Sequence, residues 1–316
     1  MPGTTVTNVA PFTVTPSVGA AYGLVYGTYI AQYVFGSDGI LQPMAATSVQ
    51  TPAIVQGLTF SPSGKTAYVT VNYSGGASSN RLLQYDVDAH GALSFRAATA
   101  GNFSPYSIVV DNAGKYLYAA DCCNSDVIAQ YSIGVDGSLS SSGNADVATT
   151  NVPTAIVMNS AGSYVYVTES QRGEMWQYAV GSGGKLTRVN SGIVGTGSNP
   201  IDFVIHPSGK FAYSINNNNG VAFQHGSISQ YAIGTGGVLT PLSMPLLATE
   251  YLPRQMVIEP SGKYAYVIND NSGNIFEYNI GNDGSLSQFG EIVINSYSPD
   301  SVRGLAIDPV GGFLYA

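Results

Sequence analysis

Side chains able to do chemistry are sparse in this sequence: of 316 residues, 11 are Lys or Arg, 19 are Asp or Glu, 3 are His and 2 are Cys. Four of them, Arg254, Asp270, Arg303 and His206, fall where strands are predicted to begin or end. Guanidinium groups beside a carboxylate suit a small molecule with a carboxylate or several hydroxyls, because Arg presents its donors as a planar fork. His206 would add a group that carries a proton near neutral pH. The same residues have a plainer use. Arg254 with Asp270 makes a rim ion pair, and His206 stands directly before a turn proline, Pro207.

Other acids invite a metal reading. Asp121 and Asp126 flank Cys122 and Cys123, Glu169 ends a predicted strand, and Asp270 occupies the corresponding place in a later unit. Carboxylates and Asn side chains gathered on one rim could take Ca²⁺, which favours about six to eight oxygen ligands. No segment carries a calcium-loop spacing, and isolated acids at turns usually cap them, so no cofactor is expected. The cysteines are adjacent, a bond between neighbours closes a strained ring, and no spaced His or Cys completes a zinc set. They read as two thiols at a strand end. Nucleophile-elbow, phosphate-loop and metalloprotease helix motifs are missing.

What must position these residues is a repeat. Pro62-Ser63-Gly64-Lys65-Thr66-Ala67-Tyr68 recurs as Pro207-Ser208-Gly209-Lys210-Phe211-Ala212-Tyr213 and as Pro260-Ser261-Gly262-Lys263-Tyr264-Ala265-Tyr266. Worn copies surround Gly114, Gly162 and Gly311, so the turn glycines lie about fifty residues apart, a period of propellers. In the unit from Pro253, a first strand covers Arg254 to Glu259. The second, Tyr264 to Asn269, is apolar on both faces, as in a sheet stacked between other sheets. A third strand, Asn274 to Ile280, and a fourth from Leu286 follow across turns.

The third strand is marked by Gln32-Tyr33, Gln84-Tyr85, Gln130-Tyr131, Gln177-Tyr178, Gln230-Tyr231 and Glu277-Tyr278. These tyrosines are expected to pack between blades with their hydroxyls at the wet edge. Turns after it repeat as Asp38-Gly39-Ile40-Leu41, Asp136-Gly137-Ser138-Leu139 and Asp283-Gly284-Ser285-Leu286, with Gly-Gly versions at 183–184 and 236–237.

The pattern predicts an all-β fold: one seven-bladed β-propeller domain over residues 1–316, each blade a four-stranded antiparallel sheet. Blades fall at about 11–50, 51–102, 103–151, 152–199, 200–252 and 253–298. A seventh takes 299–316 together with 4–10, where Val alternates with Thr and Asn, so the last blade is shared by both ends of the sequence. By this count it lacks a third strand and is incomplete. An open edge of that kind invites an added strand, including one from a second copy.

Composition narrows the partners. Charged residues make up 9% against 44% apolar, with 38 Gly and 22 Tyr, a mixture of turn and strand formers. The net charge of -8, with basic residues scattered, argues against a nucleic-acid groove or an anionic membrane surface. No apolar run approaches the roughly 20 residues of a membrane span, and the start Met1-Pro2-Gly3-Thr4 lacks the pattern of a signal peptide. The low Lys and Glu content and the Ser/Thr/Asn/Gly-rich loops nevertheless favour a secreted or envelope protein over a cytoplasmic one.

Tyr68-Val69-Thr70-Val71, Tyr166-Val167-Thr168-Glu169 and Tyr266-Val267-Ile268-Asn269 sit on this repeat along nearly the whole chain. The sequence thereby resembles the seven-bladed lactonase family of propellers, which includes the 6-phosphogluconolactonase type and the repeat proteins named for Tyr-Val-Thr-Asn. The resemblance implies Arg, His and Glu on one rim of a central channel. Its Pro-Arg-His phrase is matched by Pro253-Arg254-Gln255, with Gln255 in place of His, and Asn269-Asp270 offers Asp in place of Glu. Counting blades from the start gives another alignment, in which Val302-Arg303-Gly304 matches a Pro-Arg-Gly phrase. His206-Pro207 then falls on the Pro-Arg-His blade, where Ile201 replaces the Arg, Asn217 the Glu, and a lone family His falls near Thr154. Neither alignment keeps the full acid–base set.

Three functions remain open on these residues. One is a hydrolase that opens a lactone or sugar-acid ester at the channel mouth through Arg254, Asp270, Arg303 and His206. Another is a non-catalytic secreted or surface propeller that binds a glycan or protein through loops such as Asn72–Asn80 and Asn216–Gly226. The third is a structural protein that assembles through its open blade.

Overall fold

Short runs rich in β-branched and aromatic residues, punctuated by Gly, Asn and Asp, pair with their sequence neighbours and build antiparallel meanders. The computed structural model describes residues 9–15, 19–25, 28–36, 38–72, 81–100, 105–121, 126–149, 152–218, 225–270, 272–294, 304–308 and 311–316. Among these residues no helix is long and apolar enough to cross a membrane.

The first sheet takes β1 (Val9–Thr15), β2 (Ala20–Val25), β3 (Tyr29–Phe35) and β4 (Leu41–Gln50). The second takes β5 (Ile54–Phe60), β6 (Thr66–Asn72), β7 (Arg81–Val87) and β8 (Leu93–Ala100). In the third, β9 (Pro105–Val110), β10 (Tyr116–Asp121) and β11 (Val127–Ile133) carry an outer strand broken into β12 (Leu139–Ser141) and β13 (Val147–Ala148). The fourth is β14 (Pro153–Met158), β15 (Tyr164–Glu169), β16 (Glu174–Val180) and β17 (Leu186–Gly195). The fifth is β18 (Pro200–Ile205), β19 (Phe211–Asn216), β20 (His225–Ile233) and β21 (Leu239–Tyr251). The sixth is β22 (Pro253–Ile258), β23 (Tyr264–Asn269), β24 (Asn274–Ile280) and β25 (Leu286–Val293), and a two-stranded sheet pairs β26 (Ala306–Ile307) with β27 (Leu314–Tyr315).

The protein is an all-β propeller with four-stranded antiparallel blades. Its first strands touch in the order β1, β5, β9, β14, β18, β22, β26, and β26 returns to β1. Because blades stack face to face, the core is a set of layers between them. One cluster joins Tyr22 and Leu24 to Val69 and Leu83, the next joins Tyr68 and Leu82 to Ile108 and Leu117, and others continue around the ring. Second strands are buried on both faces, as their sequences predict.

Six boundaries between blades are also latched by a tyrosine hydroxyl among the described residues. The hydroxyl of Tyr22 donates to the carbonyl of Gly91, in the turn of the following blade. The same bond joins Tyr68 to Gly137, Tyr118 to Gly184, Tyr166 to Gly237, Tyr213 to Gly284 and Tyr315 to Gly39, at 2.7 to 2.9 Å. The last of these ties the two-stranded sheet to the first blade. Gly184 has φ of 74°, and a Cβ there would stand 2.4 Å from the Tyr116 ring, so only glycine can lie so flat on the aromatic. Beside it, the buried side chains of Gln32, Gln84, Gln130, Gln177 and Gln230 accept the amides of Leu93, Leu139, Leu186, Leu239 and Leu286, at 2.7 to 3.0 Å.

Two expectations change and one stands in part. The first strand begins at Val9 rather than Pro11, and residues 4–8 lie outside the described ones. Six blades are complete, and of the seventh, expected to be incomplete, the described residues show two strands, β26 and β27. The third-strand tyrosines do not all keep their hydroxyls wet: those of Tyr178 and Tyr278 are buried without a hydrogen-bond partner, because the neighbouring blade covers them.

The two kinds of tyrosine should respond oppositely to loss of the hydroxyl. Tyr118→Phe leaves the Gly184 carbonyl unsatisfied and should cost about 1–2 kcal/mol in urea unfolding. Tyr178→Phe removes an unsatisfied polar group and should be neutral or stabilising by about 1 kcal/mol.

Candidate functional site

All first strands run from one mouth of the ring toward the other, and second strands return. Starts of first strands and ends of second strands therefore share a rim. There, the strand-opening prolines Pro105, Pro153, Pro200 and Pro253 pair with Asp121, Glu169, Asn216 and Asn269. All four of these polar residues are 0% exposed. Asn216 is held by Ser227 and Ser229, and Asn269 donates to Asn274 at 3.0 Å. Such groups are structural, since a buried amide without partners would destabilise the rim.

Arg254 and Asp270 do meet here. The guanidinium Nε donates to Asp270 Oδ2, the Arg254 side chain remains 42% exposed, and Asp270 is 8% exposed. Asp270 is set by its own backbone, whose N–H donates to the carbonyl of Leu252 at 2.9 Å. Leu252 has φ of 51°, a left-handed conformation unusual for a branched side chain, and it opens the strand that carries Arg254. The other carboxylate oxygen, Oδ1, is buried and has no hydrogen-bond partner. Arg254 thus keeps part of its fork available for a ligand.

His206 is elsewhere. It follows the far end of β18, a six-residue strand, and so sits about 20 Å along the strands from this rim at roughly 3.3 Å per residue. Its Nε2 donates to the Gly262 carbonyl at 2.8 Å and its Nδ1 accepts from the Ser208 amide at 3.1 Å. The ring bridges two turns, and the structure does not bring it to Arg254. Arg303, Cys122 and Cys123 lie outside the described residues. Among the described residues, no group of three or more His, Cys, Asp or Glu could hold a metal ion.

Gln255, at the position where the resemblance places a His, accepts the amide of Leu305 at 2.7 Å. Ser107 does the same for Ile156 at 3.2 Å, and Asp202 for Met256 at 3.0 Å. In these three blades the position two residues after the strand-opening proline is therefore a latch to the next first strand. Thr154 likewise donates to the Pro200 carbonyl at 2.7 Å.

Asp202 differs from the other latches in charge. It lines an axial cavity of about 180 Å³ whose wall includes Gln56, Tyr106, Thr154 and Ile201. Oδ1 accepts from Phe203 N at 2.9 Å and Oδ2 from Met256 N, leaving two of roughly four lone-pair sites for another donor. Desolvation raises the carboxyl from 3.8 to about 6, against the pull of those two amides. In the sequence Asp202 is only the neighbour of Ile201. The signal available was an acid inside an otherwise apolar strand.

No family model and no curated protein matches this chain. Solved structures do. A protein of Bacteroides uniformis described provisionally as a 6-phosphogluconolactonase superposes with a TM-score of 0.77 at 19% identity, over 90% of this chain and 84% of that one. A Bacteroides fragilis protein under the same description gives 0.77 at 18%, over 93% and 85%. The periplasmic gluconolactonase of Pseudomonas aeruginosa gives 0.77 at 17%, over 90% and 85%. At these identities the likeness establishes the fold.

Asp202 makes stability depend on pH. Its folded carboxyl binds its proton more tightly than in the unfolded chain, so its favourable contribution is complete below about 3.8 and lost as pH rises through about 6. Unfolding free energy should fall by up to about 3 kcal/mol from this group between pH 4 and 7. In Asp202→Asn, urea midpoints measured across that range should lack this component.

Proposed function

We propose that this chain is a lactonase-like propeller that binds a small lactone or sugar-acid ester at the mouth carrying Arg254 and Asp270, and opens it with water. The observation that carries this reading is the half-exposed Arg254 guanidinium, fixed by Asp270 on the rim where the first strands begin, on the blade next to the one whose Asp202 lines an axial cavity of about 180 Å³. The likeness in fold to proteins described as gluconolactonases supports it; a fold hosts many functions, so the side chains bear the weight.

The roles follow from chemistry. Arg254 would hold the ester carbonyl and steady the oxyanion that develops on it. Asp202, ionised at neutral pH with a proton affinity near that range, would take a proton from water as the oxygen adds to the carbonyl carbon. The ring C–O bond then breaks, and the proton returns to the departing alkoxide. Asp270 positions Arg254. Arg303, outside the described residues, remains part of the proposal as a second cation, whereas His206 is tied into the turns of the opposite end.

In the same reading the ring has seven blades, the last shared by both ends of the chain, and the protein is secreted or held in the cell envelope. Support for seven is the unbroken circle of first strands through β26, and support for secretion is the composition. A second reading, a propeller that binds a sugar acid, glycan or protein without turnover, is favoured by the commitment of Gln255 and His206 to backbone contacts. It predicts binding without hydrolysis.

A panel of aldonolactones separates the two. Arg254→Lys keeps a cation beside Asp270 but loses the fork, so kcat/KM should fall about 100-fold or more while the melting temperature holds. Unaltered turnover would remove Arg254 from the site. Absence of turnover in the wild-type protein, with binding of the hydrolysed acid retained, would select the second reading.

A further inference from the structure

One boundary between blades is filled differently from the rest. At the end of the ring that carries His206, a turn glycine of one blade lies on the residue that opens the second strand of the blade before it. That residue is aromatic at Tyr116, Tyr164, Phe211 and Phe313. Ala20 takes the place under Gly91, where the Met44 methyl group closes in beside it. Between the second and third blades the residue under Gly137 is Thr66, and the Arg96 guanidinium is its neighbour. No ring fills the gap. It opens instead as a cleft of about 1010 Å³ between the turn joining β5 to β6 and the turn joining β9 to β10, large for a small-ligand site. The Tyr68 hydroxyl still reaches the Gly137 carbonyl at 2.8 Å, so the two blades remain latched beneath it.

The cleft gathers charge in a chain that has little. Lys65 and Lys115 stand on the facing turns, which meet where a Cβ on Gly114 would lie 3.1 Å from Pro62. Both lysines are exposed, and among the described residues neither has an ion-pair partner. Arg96 is neutralised by Asp86 and donates to the Asp136 carbonyl, which makes it a strap from one blade to the next. Asp88 and Asp136 each spend one oxygen on their own turn. Oδ1 of Asp88 accepts the amides of Ala92 and His90 at 2.8 Å, and Oδ1 of Asp136 accepts the hydroxyl and the amide of Ser138 at 2.6 and 3.0 Å. These donors hold both carboxyls below their ordinary value, so both are ionised at neutral pH and keep lone pairs for a hydroxyl. Val135, at the tip of the adjoining turn, is fully exposed. The other blades carry Ser37, Ala89, Ser182, Thr235 and Asn282 there.

We propose that this cleft binds an acidic oligosaccharide, a short chain of uronic acid units. Carboxylates spaced along such a chain match the two unpaired ammonium groups. Its hydroxyls match the open lone pairs of Asp88 and Asp136, and the C–H face of a sugar ring suits Val135. A nucleic acid or polyphosphate is matched less well, because Asp88 and Asp136 place negative charge where a phosphate chain has no hydroxyl to offer. Lys210 and Lys263 form a similar pair on the fifth and sixth blades, but there the Phe211 ring lies under Gly284 and fills the space that Thr66 leaves open. The cleft lies at the end of the ring opposite Arg254 and does not depend on the chemistry proposed for that mouth.

Tetragalacturonate is titrated into the full chain by isothermal titration calorimetry, with the neutral galactose tetramer as its comparison. Binding of the acidic sugar at one site is expected, about tenfold or more tighter than the neutral one. Lys65→Gln combined with Lys115→Gln should weaken it about tenfold without moving the melting temperature, since both ammonium groups are solvated and unpaired. Raising NaCl from about 50 to about 300 mM should weaken it about fivefold by screening. Thr66→Phe supplies the ring found at other boundaries and should abolish binding in a chain that still folds; the lysine pair decides the matter if that variant does not fold. Arg254→Lys should leave the affinity unaltered. No binding, equal binding of the neutral tetramer, indifference to the lysine substitutions, or loss of binding in Arg254→Lys overturns the proposal. Tighter binding of an Asp-Gly repeat peptide than of the sugar assigns the cleft to an acidic protein segment and overturns it as well.

Discussion

A tyrosine hydroxyl resting on the carbonyl of a glycine in the next blade is the contact on which the ring depends. Each blade is apolar on both faces and has no core of its own, so it must be covered on both sides. Layers of Val, Leu and Tyr supply the driving force, but they are non-directional and would tolerate sliding. The hydroxyl and the buried glutamine set the register of one blade on the next. They can do so because a left-handed glycine lets the turn lie flat on the underlying side chain. Tyr315 on Gly39 performs this service between the end of the chain and its beginning.

That constraint decides which rim residues are available for chemistry. Prolines that open the first strands face polar side chains at the ends of the second strands, and these are buried to the last atom at Asp121, Glu169, Asn216 and Asn269. A latch at the residue two places after the opening proline occupies Ser107, Asp202 and Gln255. What stays free is what exceeds the structural demand: the exposed part of Arg254, and the second pair of lone pairs on Asp202, a carboxylate where a hydroxyl or an amide would have served.

Much of this was legible in the residues. The fifty-residue spacing of Pro-Ser-Gly-Lys, the two-sided apolar strands and the Gly-x-Leu turns implied a propeller of four-stranded blades, and the Arg254–Asp270 pair emerged from positions in the repeat. His206 kept two readings in the sequence because a histidine before a turn proline looks alike whether its ring faces a channel or the next turn. The Gln-Tyr phrase was visible as a mark of the third strand, but its glutamine's partner lies 55 to 62 residues away, beyond any local pattern. Tyrosines in the third strand were assigned wet hydroxyls by the usual habit of the residue, and the next blade overruled it.

By itself, the sequence determined the strands, the turns and their period, because each rests on steric and hydrogen-bonding preferences expressed within a few residues. Only the tertiary structure decided which tyrosines are latches, that Gln255 and His206 are occupied, and that Asp202 lines an axial cavity. Those outcomes depend on what a blade fifty residues distant lays against each side chain, and burial by that neighbour sets both proton affinity and freedom to bind.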